Sequence, residues 1–142
     1  MSVLADIIAG YTTVLDAISG FTPYLPNREP KDPDGSFHRK FLLDEDTGVA
    51  ALGELQMGGT GIEIVTPLLL TVHWEPADVE STIRATVADD QRLILIAMLA
   101  DSNKPAGCRL LTLRGIDRED KKRPITKHFR FDARYTETGT FT

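Results

Sequence analysis

Gly61-Ile-Glu-Ile-Val-Thr-Pro-Leu-Leu-Leu-Thr-Val-His-Trp74 is the stretch on which the fold turns. Alternation places Ile62, Ile64, Leu68, Leu70, Val72 and Trp74 on one side, and Glu63, Val65, Leu69, Thr71 and His73 on the other. A period of two over so many residues marks a strand. With one face wholly apolar and the second half-apolar, it reads as an interior strand, with helices on one side and a partner or mobile cover on the other. Pro67 has no N–H to give a ladder, which predicts a bulge or sharp bend there.

The strand leads through Trp74-Glu-Pro-Ala-Asp78, where Pro76 suits a first helical turn. From Ala77 to Leu99 apolar residues return at helical spacing: Val79, Ile83, Val87, Ile94, Ala97 and Met98. Asp90 lands in the middle of that face. Either the helix breaks near Asp89-Asp90, with one aspartate capping a second segment, or a carboxylate is buried. An unpaired buried charge is costly, so the break is expected. Leu93 to Leu99 is apolar nearly all round, which implies burial on several sides, including by another subunit.

Working outward, Val3, Leu4, Ile7, Ile8, Tyr11, Val14, Leu15 and Ile18 outline an amphipathic N-terminal helix, with Ser2 able to cap it and Gly20 just past its end. Gly10 weakens its middle by about 1 kcal/mol relative to alanine. A proline-rich link, 21–35, reads as irregular or polyproline-like. A first strand is expected over Ser36 to Leu43, with Phe37, Phe41 and Leu43 on one face and Arg39 among them, as at an edge or under partial cover. Asp44-Glu-Asp-Thr-Gly48 is an acidic turn, and 44–61 as a whole reads as a long glycine-rich loop. Loops longer than about 12–15 residues usually bind something or stay mobile, and contact with a partner is favoured here.

Beyond the central unit, Cys108 to Ile116 reads as a strand and Asp117 to Arg123 as a charged connection closed by Pro124. Lys127 to Tyr135 alternates cleanly, with Phe129, Phe131, Ala133 and Tyr135 inward and His128, Arg130, Asp132 and Arg134 outward. The tail 136–142 is small and polar, and is expected to fray unless it docks. The sum is one α+β domain over 1–142: a mainly antiparallel sheet of about four strands, with the N-terminal helix and a second helix, broken or not at Asp89-Asp90, on one face.

Chemistry is thinly represented. His38, His73 and His128 are scattered without a carboxylate or cysteine at ligand spacing, so no metal or other cofactor is expected. Gly58-Gly-Thr-Gly61 resembles a phosphate-cradling loop, but no lysine follows it and a strand comes next. No hydrolase, Walker or zinc-protease motif is present. The lone Cys108 reads as a small buried hydrophobe. A net charge of −5 without a basic tract argues against an autonomous nucleic-acid-binding module. The acids Asp6 and Asp16 in the first twenty residues exclude a signal-peptide pattern, and the longest apolar run, Leu93 to Ala100, is too short to span a membrane.

The assembled order is helix, proline-rich link, strand, long loop, strand, helix, strand, charged turn, strand. In that order, and in Leu68-Leu-Leu-Thr-Val-His-Trp-Glu-Pro76 and Gly115-Ile-Asp-Arg-Glu-Asp120 leading to Phe129-Arg-Phe-Asp-Ala-Arg-Tyr135, the chain resembles the tail terminator proteins of long-tailed bacteriophages, the lambda minor tail protein U family. The resemblance covers Val3 to about Glu137; the proline-rich link is longer than the family pattern.

That resemblance implies a virion protein rather than an enzyme. It would assemble in the host cytoplasm into a homo-oligomeric, hexameric ring that caps the tail tube, ends its polymerisation and meets the head–neck connector, with DNA only as passing cargo. The expected subunit interface comprises Leu93, Leu95, Ile96, Leu99, Arg130 and Arg134. Gly53, Leu55, Met57, Gly58 and Gly59 would contact tube or connector, and Asp44, Glu45, Asp46 and Glu54 would line or approach the lumen, where like charge repels phosphate. An adaptor subunit of another neck, tail-like or secretion machine, and a small monomeric ligand-binding domain or enzyme, stay open beside it.

Overall fold

The computed structural model describes residues 3–24, 38–46, 51–55, 61–75, 80–119 and 125–138, with the side chains of 51–55, 80–82 and 138 outside the description. At its centre β4 (Gly61–Trp74) pairs with β6 (Ile125–Thr138) without interruption, from Gly61↔Thr138 to Trp74↔Ile125. The other edge of β4 is shared by two shorter strands, β2 (Lys40–Glu45) on its second half and β3 (Ala51–Leu55) on its first. β1 (Thr22–Pro23) lies parallel to the start of β2, and β5 (Cys108–Arg118) closes the far side on β6. Among the described residues the sheet thus has six strands, all antiparallel except β1.

Pro67 does not interrupt the pairing of β4 with β6. Its carbonyl accepts from the Asp46 N–H at 2.9 Å, and in an antiparallel strand a residue's N and C=O point to the same side. The missing donor therefore faces the edge where pairing passes from Glu45↔Leu68 to Ala51↔Val65, and the β6 ladder loses nothing. The expected bulge is absent from β4; the irregularity sits in its neighbours.

Several boundaries move for related reasons. The first strand begins at Lys40, with His38 and Arg39 in a turn, and it runs on through Asp44 and Glu45. The segment 44–61 is therefore not one loop: its ends and residues 51–55 are strand. The tail is ordered into β6 as far as Thr138, because β4 supplies partners for Thr136, Glu137 and Thr138. Ser36, Phe37 and most of the proline-rich link lie outside the described residues, although Thr22–Pro23 at its start is strand.

α1 (Val3–Asp16) and α2 (Glu80–Leu99) cover one face of the sheet. Ile7, Tyr11 and Leu15 from α1, and Ile83, Val87, Ile94 and Met98 from α2, pack with Phe41, Leu43, Leu68, Leu70, Val72, Trp74, Phe129, Phe131, Ala133 and Tyr135 into one core. Alternation in the sequence puts Leu111 and Leu113 on one face of β5 and Leu110, Thr112 and Ile116 on the other, and this holds as far as Leu113. A bulge between Leu113 and Gly115 then restores inward parity, so that Ile116 falls opposite Phe129 and packs on the core.

The largest departure is at Asp90. α2 is a single helix through Asp89-Asp90, and Asp90 is 2% exposed. Its Oδ2 accepts from Arg39 Nε at 2.8 Å and from Trp74 Nε1 at 2.8 Å, while Oδ1 accepts from Arg39 Nη2 at 3.1 Å. A carboxylate with three donors, two from a guanidinium fork, is not an unpaired charge, so the reason to break the helix vanishes. Arg39 is set up for this by its turn. It has a φ of 56°, its N–H donates to the His73 carbonyl at 2.8 Å, and its guanidinium lies 5.7 Å from the Phe21 ring centroid.

Candidate functional site

Two surfaces stand out once the core is accounted for. The first is the solvent side of α2. Residues 83, 87, 90, 94 and 98 consume the buried stripe, so the apolar residues between them are turned outward. Leu93, Ile96 and Leu99 remain 47%, 57% and 44% exposed on successive turns. Leu95 differs: it is half-buried and packs against the core.

The second surface is the sheet face away from the helices. Cross-strand pairing sets Thr71 opposite His128 and His73 opposite Thr126, which brings together two histidines that are distant in sequence. Tyr24 Oη meets His73 Nε2 at 3.1 Å, and His73 Nδ1 meets Thr126 Oγ1 at 2.9 Å. Beside them Thr71 Oγ1 lies 3.1 Å from His128 Nδ1, whose Nε2 is 3.0 Å from Glu119 Oε1. Burial pushes His73 below the usual histidine range, against the opposing pull of Glu119, and pushes the Tyr24 hydroxyl up.

Hydroxyl, imidazole and carboxylate in a row resemble a nucleophile relay, but the setting is wrong for one. Thr71 is a mid-ladder residue of β4, paired with Leu42 on one side and His128 on the other. Acyl transfer needs free donors about 3 Å from a developing oxyanion, and the backbone donors here are committed to neighbouring strands. The row ties strands together.

Further along, Arg130 donates to Asp117 at 2.7 Å and to Asp46 at 2.8 Å, and Arg134 and Arg109 both pair with Glu63, at 3.1 and 2.8 Å. Such pairs bind β2, β4, β5 and β6 laterally.

The residues expected at a subunit interface therefore divide. Leu93, Ile96 and Leu99 share the exterior of α2, Leu95 turns inward, and Arg130 and Arg134 occupy the opposite sheet face in ion pairs. Among the expected lumen acids, Asp44 and Glu45 are exposed on β2, whereas Asp46 is held by Arg130. Of the loop expected to touch tube or connector, Gly53 and Leu55 belong to β3; Met57, Gly58 and Gly59, and the side chain of Glu54, lie outside the described residues.

Sequence reasoning missed the Arg39–Asp90–Trp74 cluster and the paired histidines. For the first, a signal existed: an arginine and an aspartate each sat on an otherwise apolar face. Cys108 is buried, its thiol pushed up by that burial, and it lies 3.9 Å from the Tyr11 hydroxyl, a setting that disfavours the reactive thiolate. Among the described residues no three histidine, cysteine or acidic side chains gather as a metal site would require, and no helix is long and apolar enough to cross a membrane. Compared with models of known protein families and with curated protein sequences, the chain matches none.

Proposed function

We propose that this protein is a structural component of a long-tailed phage virion, a tail terminator that closes into a ring on the end of the tail tube. The observation that carries this reading is the row Leu93, Ile96 and Leu99 on the outside of α2. Three large apolar side chains about half exposed on one short helical segment are costly in a free monomer. Covering them in a subunit contact contributes about 2–4 kcal/mol per interface. A cyclic, heterologous contact that closes buries the row in every copy and leaves none over.

In this assembly the exposed Asp44 and Glu45, with Glu54, face the DNA channel, and an acidic wall lets the polyanion pass without adhering. The segment from Gly53 through Leu55 and Met57 to Gly58 and Gly59 meets the tube or the head–neck connector. Adding the protein to its polymerising cognate tail tube protein, followed by electron microscopy, tests the function. Tubes that stop growing and carry a ring at one end are expected. Tubes that lengthen at an unchanged rate without end rings contradict it.

A further inference from the structure

Four large apolar side chains are exposed among the described residues: Leu93, Ile96 and Leu99 on α2, and Leu110 on β5, which is 52% exposed. The two patches point away from one another. Leu111 is buried in the core beneath the helices, and side chains alternate along a strand, so Leu110 leaves the sheet on the face opposite α2. The α2 row looks outward from the far side of the helix layer, so no copy can cover one patch with its own other patch. A two-fold contact of row against row would leave Leu110 of both copies wet. A head-to-tail contact of row against Leu110 covers both patches in each copy.

Charge divides the same way. Leu110 is the cross-strand partner of Arg134, and Arg134 and the adjacent Arg109 share one carboxylate, Glu63, at 3.1 and 2.8 Å. Two exposed guanidinium groups thus answer to a single acid. The Lys104 ammonium, turned to the Arg109 carbonyl at 3.0 Å, adds a third cation beside them. Along the α2 row, exposed Asp89 and Arg92 are opposite in sign at its start. At its end the last turn of α2 has no basic residue, the helix dipole presents its negative pole, and exposed Asp101 follows directly. Apolar surface edged with positive charge on one side of the molecule therefore matches apolar surface edged with negative charge on the other.

Resting on the ring assembly proposed above, we infer that the α2 row of each copy seats on Leu110 of the next, with Asp101 toward Arg109 and Arg134. Each copy then gives two different surfaces to the ring, its helix side to one neighbour and the start of β5 to the other.

Mixing Ile96→Cys copies with Leu110→Cys copies, in the presence of tail tube protein and a short bis-maleimide, tests this contact. Linked peptides are identified by mass spectrometry, and native mass spectrometry of the same samples records assembly. Wild type is the control, since Cys108 is buried. The mixture is expected to give covalent dimers holding one copy of each variant, with neither variant alone linking above wild type. Leu110→Glu should abolish the assembly without lowering the melting temperature of the monomer, since residue 110 is not in the core. Linkage in Ile96→Cys alone, as row against row would give, overturns the contact while assembly persists. So does an assembled mixture that does not join 96 to 110, or Leu110→Glu assembling as wild type does. A wild type and a mixture that both stay monomeric overturn the contact and the ring together.

Discussion

Asp90 shows how one side chain decides whether a helix is continuous. Placing an acid on a buried helical face is unfavourable unless donors come to it, and here they come from Arg39 and from Trp74, 51 and 16 positions away in sequence. Removing the acid strands both. Asp90→Ala is expected to lower stability by about 3–5 kcal/mol, because a partly buried guanidinium and a buried indole N–H lose their acceptor. An apolar pair of similar volume at both sites, Arg39→Met with Asp90→Leu, recovers much of that loss; chemical denaturation of the three proteins measures it.

His73 gives a second residue-level test. Its folded pKa is lowered below 6.5, chiefly by burial, so on acidification the unfolded chain takes up a proton before the folded one does. The stability this neutral histidine contributes is complete above about pH 6.5 and is lost as pH falls toward the folded value. Melting temperature should therefore decline on acidification below neutrality, and His73→Asn should flatten that decline even though it also loses the Tyr24 contact. An unchanged pH slope in the variant would assign the effect to other groups.

At the scale of elements, the legible ones were those whose pattern is carried by their own residues. β6 and the faces of β4 could be read because alternation alone separates core from surface, and α1 because its apolar stripe is unbroken. What could not be read depended on partners. The continuity of α2 rests on Arg39, the unbroken pairing of β4 with β6 through Pro67 rests on which edge its nitrogen faces, and β3 exists because β4 offers Ile62, Ile64 and Val65 as partners. Of the candidate site, only the outward row on α2 was legible, since an excess of apolar residues on a helix is visible in one segment. Arg130 and Arg134, expected at the same interface, lie on the sheet face opposite α2, a placement that strand pairing decides and helix periodicity cannot reveal.

Gly10 sharpens the contrast between propensity and packing. By propensity alone Gly10→Ala would strengthen α1 by about 1 kcal/mol. A Cβ there, however, meets Pro105 Cγ at 2.6 Å and Cβ at 2.8 Å, and a ring closed on the backbone yields poorly. Overpacking of this kind costs about 1–3 kcal/mol, so the substitution should lower the melting temperature. A rise would mean that the loop carrying Pro105 moves aside freely.

For the molecule as a whole, one core of two helices on the sheet explains the fold, and among the described residues it leaves the row Leu93, Ile96 and Leu99 on α2, and Leu110 alone on β5, as exposed large apolar side chains. The open sheet face satisfies itself through lateral ion pairs and so creates no comparable demand for a partner. The central claim is that Leu93, Ile96 and Leu99 are the buried surface of a closed ring. Native mass spectrometry at micromolar concentration, on the protein alone and with the tail tube protein added, tests it most directly. The account predicts one discrete assembly of six 15.7 kDa copies, and its loss in Ile96→Glu, whose monomer stays folded because residue 96 is not in the core. A 15.7 kDa monomer under both conditions, or the same assembly in wild type and Ile96→Glu, would contradict it.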